Sequence, residues 1–118
     1  MSKTIYILED NFEILEVISL ILSAEGMDVC GYSMVSEFQK ALEKSMPDLF
    51  IIDVTLPDGH GLNICDHLKL DQKTKNIPVI LITANSEIEK MKLRSRADDF
   101  IAKPFDIEDL VKRVKRLF

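Results

Sequence analysis

The chain has 118 residues, enough for one domain with its own core and little more. Hydrophobic residues make up 47% and charged residues 30%, which excludes a disordered chain, and a formal charge of −5 argues against non-specific nucleic-acid binding by the domain as a whole. Two cysteines, Cys30 and Cys65, are too few for a disulfide framework and fit a reducing compartment. The apolar part of the opening MSKTIYILED is too short for a secretory signal and no run reaches membrane-spanning length, so a cytoplasmic location is expected.

Short apolar runs alternate with helical periodicities. Thr4–Leu8 (TIYIL) predicts a buried strand, and Ile14, Ile18, Ile21 and Leu22 predict a helix that Gly26 ends in a left-handed conformation. Residues 27–32 (MDVCGY) read as a second strand and Val35–Lys44 as a second helix with Phe38, Ala41 and Leu42 inward. The run 48–53 (DLFIID) is a third strand, leading into a turn with Pro57, Gly59 and Gly61. Leu62, Cys65, Leu68 and Lys69 mark a third helix that fades at DQKTKN. Residues 77–83 (IPVILIT) form a fourth strand, with Pro78 at its start where no ladder donor is lost. Ser86, with Glu89 three residues on, predicts a capping box for a fourth helix. A short fifth strand over 98–102 (DDFIA) precedes a last helix with Ile107, Leu110, Val111, Val114 and Leu117 as its inner stripe.

Five strands alternating with five helices predict an α/β fold, its parallel sheet covered on both faces. In such sheets ligands bind beyond the carboxyl ends of the strands. There the sequence places Glu9 and Asp10 after the first strand, Asp53 at the end of the third, Thr83 at the end of the fourth, and Lys103-Pro104 after the fifth. Three crowded carboxylates repel one another unless a cation intervenes. A hard divalent ion such as Mg2+ suits an all-oxygen site, and with the Lys103 ammonium it brings the pocket to about neutral. A carboxylate can attack phosphorus to form an acyl phosphate, a transfer that needs mostly positioning and charge neutralisation.

Singly, each residue has a plainer role: Glu9-Asp10 as helix-initiating acids, Thr83 as a β-branched strand end, Lys103 as a solvated lysine. Their meeting at one sheet edge is what favours a site. Cys65 and His67, two apart on a helix, do not face each other and are not read as metal ligands. The basic end VKRVKRLF follows a helix start rich in acids, the arrangement that complements a helix dipole rather than a DNA-binding patch.

The acidic pair ED, then IIDVTLPDGHG, LITA and DDFIAKPF, in this order and across essentially the whole chain, resemble the receiver domain of two-component response regulators. The resemblance implies one receiver domain over 1–118 with a flavodoxin-like strand order 2-1-3-4-5. It implies that Asp53 accepts a phosphoryl group from a histidine kinase or a histidine phosphotransfer protein. Glu9, Asp10, Asp53 and the Thr55 carbonyl would hold Mg2+, Lys103 would pair with phosphoryl oxygens, and the Lys103-Pro104 peptide would be cis. Thr83 and Phe100 would be the switch pair, and the fourth helix, fifth strand and fifth helix the readout surface for an output domain or partner. No turnover of a separate substrate is expected. Three departures stand out. Arg96 replaces a glycine after the fourth helix, which is expected to be short or irregular. His60 stands where a better helix cap is usual, so that cap is expected to be weaker or histidine-dependent. Glu9 replaces an aspartate and reaches one methylene further.

Two other functions compete. An aspartyl-phosphate phosphohydrolase usually has an acid two residues after its nucleophile, where this chain has Thr55. A degenerate receiver acting as a scaffold should lack one of the site residues, and none is missing.

Overall fold

In the computed structural model, residues 2–56 and 59–118 are described, so Pro57 and Asp58 lie outside the described residues. Five strands, β1 (Thr4–Leu8), β2 (Asp28–Tyr32), β3 (Leu49–Asp53), β4 (Val79–Ala84) and β5 (Asp99–Lys103), form a parallel sheet in the order β2-β1-β3-β4-β5. Helices α1 (Phe12–Ala24), α2 (Val35–Lys44), α3 (Gly61–Leu70), α4 (Ile88–Arg94) and α5 (Ile107–Arg116) connect and follow them. Beyond β3, Thr55–Leu56 pairs antiparallel with Gly59–His60. This is the flavodoxin-like fold. The chain steps outward from β1 to β2 and returns on the other side at β3, which opens a crevice at the carboxyl ends of β1 and β3.

Strand side chains alternate between faces, so a run apolar at every position serves two cores. Ile5, Ile7, Leu49, Ile51, Ile80, Ile82 and Ile101 point to one face, where Ile18 and Leu22 of α1 and Leu110 and Val114 of α5 cover them. Tyr6, Leu8, Phe50, Ile52, Val79, Leu81 and Phe100 point to the other, under Val35 and Phe38 of α2, Cys65 and Leu68 of α3, and Met91 of α4. Burying each such aliphatic or aromatic side chain contributes about 1.5–3 kcal/mol. Edge-to-face contacts link Tyr6, Tyr32, Phe38 and Phe50 beneath α2, with ring centroids 5.4–6.5 Å apart.

Acids immediately before two strands hold the opposite end of the sheet. Asp48 Oδ2 accepts from the Thr4 N–H and Asp98 Oδ2 from the Val79 N–H, both at 2.8 Å. Lys69 of α3 closes the second of these, with Nζ 2.6 Å from Asp98 Oδ2 and donating to the Ile77 carbonyl at 2.9 Å.

Gly26 ends α1 at φ +86°, as its position after the apolar stripe predicts. His60 caps α3, its Nδ1 accepting from the Leu62 N–H at 3.3 Å, so the cap does depend on histidine. Two expectations are corrected. Ser86 is not a helix cap: residues Asn85–Glu87 form a 3-10 turn, Glu87 takes the cap position, and no side chain hydrogen-bonds there. Ile107 is not in the inner stripe of α5 but 55% exposed, while Phe105, two residues earlier, packs against that core instead. The fourth helix is short, seven residues, and stops at Arg94 with Ser95 extended, before Arg96 would need a left-handed conformation.

Candidate functional site

The first ladder does not stop at Leu8. The Glu9 N–H bonds to the Tyr32 carbonyl at 3.0 Å, which continues the strand alternation and leaves Glu9 fully buried and Asp10 exposed. Asn11 then starts α1, its Oδ1 accepting from the Ile14 N–H and its own N–H donating to Glu9 Oε2, both at 3.1 Å. The acids therefore precede the helix rather than cap it. Asn11 also lines the cleft; nothing in the motif spacing marks it, and its only signal is a cap-forming residue type before an amphipathic run.

Asp53 closes β3 and is 5% exposed. Its neighbour is fixed on both sides, because the Val54 N–H bonds to the Ile82 carbonyl at 3.0 Å and the Gly61 N–H to the Val54 carbonyl at 2.8 Å. Thr55 N–H reaches Asp53 Oδ1 at 3.4 Å. Gly61 brings the start of α3 against the end of β3: a Cβ there would lie 2.2 Å from the Asp53 carbonyl oxygen and 2.7 Å from Val54 Cα. Thr83, 5% exposed, sits at the end of β4 beside Asp53's strand. Lys103 ends β5, with Nζ 2.8 Å from Glu9 Oε1 and 3.4 Å from Asp53 Oδ2, and the Lys103-Pro104 peptide is cis.

Asp10, Asn11, Asp53, Thr55, Thr83, Ala84 and Lys103 line one open cleft, with Glu9 buried at its base. Phe100 is not in its wall; it lies in the apolar layer with Leu81 and Met91 and is 9% exposed.

Burial pushes the Glu9 carboxyl up to about 7, against the pull of the Lys103 ammonium and the Asn11 N–H, with Asp53 adding to the rise. Burial works against the charge on Lys103, but its pairing with Glu9 and Asp53 outweighs that and holds its pKa above the usual lysine value. Glu9, Asp10 and Asp53 each offer a carboxylate oxygen, all within 4.8 Å of one another. Glu9 Oε1 is fully buried yet receives no well-aligned hydrogen bond among the described residues, although the Lys103 ammonium lies close. An all-oxygen set with an under-satisfied buried carboxylate is placed to bind a hard divalent cation.

Residues 5–115 match the family model described as the response regulator receiver domain. The chain is 34% identical over 117 residues to the phosphate regulon transcriptional regulatory protein PhoB of Escherichia coli, an alignment covering 98% of this chain and 51% of that protein. It thus spans about half the length of the curated relatives it matches. Among solved structures it superposes on the signal receiver domain of a signal transduction histidine kinase from Syntrophus aciditrophicus with a TM-score of 0.90 and 34% identity, covering 98% of this chain and 89% of that one. It superposes on the BeF3-activated DrrB receiver domain with a TM-score of 0.87 and 30% identity, covering 99% and 97%. With the strand order, the acid-lined cleft and the family match all coinciding, the chain belongs to the response regulator receiver family and is a module of two-component, phosphorylation-dependent signalling.

Proposed function

We propose that this domain accepts a phosphoryl group on Asp53 from the phosphohistidine of a sensor histidine kinase or a histidine phosphotransfer protein, with Mg2+ as cofactor, and acts in the cytoplasm. The observation that carries the proposal is the convergence on one cleft of Asp53, two further carboxylates and the Lys103 ammonium, 3.4 Å from Asp53 Oδ2. Glu9, Asp10, Asp53 and the Thr55 carbonyl would hold the ion, which when bound offsets charge on the carboxylates and the incoming phosphoryl oxygens. The chain's own residues do the rest. The β3 ladder and the Gly61 contact fix the Asp53 carboxylate at the crevice, so one of its oxygens can attack phosphorus while the bond to the donor imidazole nitrogen breaks and the electron pair leaves with that ring. The product is an aspartyl phosphate. Lys103, already turned toward Asp53, pairs with the phosphoryl oxygens, and the Thr83 hydroxyl bonds another.

Movement of Thr83 toward the phosphoryl group would leave space for Phe100 to repack, coupling the cleft to the surface of α4, β5 and α5, where an output domain or partner reads the state. The domain modifies and restores itself and turns over no separate substrate. Replacing Lys103 by Ala separates the two jobs of the cleft. With its ammonium gone, Glu9 and Asp53 are left facing each other, so Mg2+ binding should tighten severalfold by calorimetric titration, while the phosphorylation-dependent change should disappear. Weaker Mg2+ binding in Lys103→Ala would overturn this division of roles.

A further inference from the structure

Among the five helices α4 is the least anchored. It is seven residues long, whereas isolated helices need roughly 12–15 residues to be even marginal in water, so its order must come from packing. Only Met91 along it is buried, with Ile88 partly so, and Leu93 is 90% exposed. Each of the other four helices buries at least two side chains. Neither the 3-10 turn before α4 nor its own amino end carries a side-chain cap, and its two ion pairs, Lys90–Glu87 at 4.0 Å and Lys92–Glu89 at 3.6 Å, are exposed and contribute little. At its carboxyl end, Ser95 Oγ lies 3.8 Å from the sulfur of Cys65, a thiol on α3 that is completely buried in the same apolar layer as Met91.

We propose that α4, with the turns on either side from Asn85 to Ala97, unfolds as a unit of its own while the sheet and the other helices stay folded, and that this opening is how the Cys65 thiol meets solvent. Elements with few buried contacts open at lower free energy than the whole fold. Opening this segment takes Ser95 away from Cys65 and Met91 out of the apolar layer they share, and leaves the opposite core, built on Ile18, Leu22, Leu110 and Val114, untouched. The inference does not depend on what Asp53 accepts.

The test is alkylation of the native protein with N-ethylmaleimide, at concentrations where the rate is proportional to reagent, with Cys65 and Cys30 distinguished by peptide mass mapping. In the wild type, Cys65 labelling should rise with urea with a slope well below that of global unfolding measured by circular dichroism. Met91→Ala, which removes the anchor, should speed Cys65 labelling about thirtyfold, the lower end expected for truncating a buried methionine. Ile18→Ala, which weakens the opposite core and so global stability, should leave it unchanged within about twofold. A Cys65 urea slope equal to the global one, or labelling accelerated as much by Ile18→Ala as by Met91→Ala, would overturn the proposal. The wild-type slope decides the matter even where a variant fails to fold.

Discussion

Gly61 should be the position where one added methyl group does most harm to the site. A Cβ there would stand 2.2 Å from the Asp53 carbonyl oxygen, 2.7 Å from Val54 Cα and 2.9 Å from the Asp53 carbonyl carbon. All three are backbone atoms, and Val54 is held between Ile82 and Gly61 by hydrogen bonds of 3.0 and 2.8 Å, so no flexible side chain can yield. Relief needs a movement of about an ångström shared between the end of β3 and the start of α3. Overpacking of this kind costs about 1–3 kcal/mol, and the rigid surroundings place Gly61→Ala at about 3. A domain with a stability of about 5–15 kcal/mol survives this, so the variant should fold. The same movement displaces the Asp53 carboxylate, and a misplacement of about 1 Å can lower a rate by about a hundredfold. Urea unfolding should therefore show the stability loss, and uptake of phosphoryl from acetyl phosphate should slow by at least about tenfold. Gly26→Ala is the matched comparison: Gly26 has φ +86° but, among the described residues, no atom within 4 Å of an added Cβ. It should lose about 1–2 kcal/mol from the left-handed backbone and keep the wild-type uptake rate. The reasoning fails if Gly61→Ala loses under about 0.5 kcal/mol, or if the two variants slow uptake equally.

Three further outcomes follow from the geometry of the site. His60 caps α3 through a long 3.3 Å bond to a ring nitrogen, so His60→Asp should raise stability by about 0.5–1 kcal/mol in chemical denaturation, while His60→Ala lowers it by a similar amount. Glu9, lifted from 4.5 to about 7 by burial, binds its proton more tightly folded than unfolded. Its contribution to stability without metal is therefore full below about pH 4.5 and is lost as pH rises through about 7. Mg2+ must displace that proton, so its affinity should rise about tenfold from pH 6 to pH 8 by titration calorimetry, and Glu9→Gln should flatten the slope.

What could be read from the sequence was whatever a strong local pattern dictates. The strands announce themselves because residues such as Leu49 to Ile52 are apolar at every position, a need imposed by covering both faces. Once the strands are placed, their carboxyl ends bring Glu9, Asp10, Asp53, Thr83 and Lys103 together, although they span most of the chain. Local patterns mislead where tertiary packing decides. The Ser86–Glu89 spacing fits a capping box, but the chain enters α4 through a 3-10 turn and Ser86 falls inside it. Ile107 fits the helical stripe, but Phe105 already fills the core at that end and Ile107 stays outside. The Lys69–Asp98 pair joins residues 29 apart in sequence, and nothing in either segment names the other. Asn11 carries no motif signal, because its place in the cleft depends on the β1–β2 ladder continuing through Glu9.

The central claim is that Asp53 is the group that becomes phosphorylated. Intact-mass spectrometry after incubation with acetyl phosphate and Mg2+ tests it most directly. The wild type should gain the mass of one phosphoryl group, lose the gain when Mg2+ is chelated beforehand, and show no gain at all as Asp53→Asn. An unmodified wild type, or an Asp53→Asn variant that still takes up phosphoryl, would contradict the account.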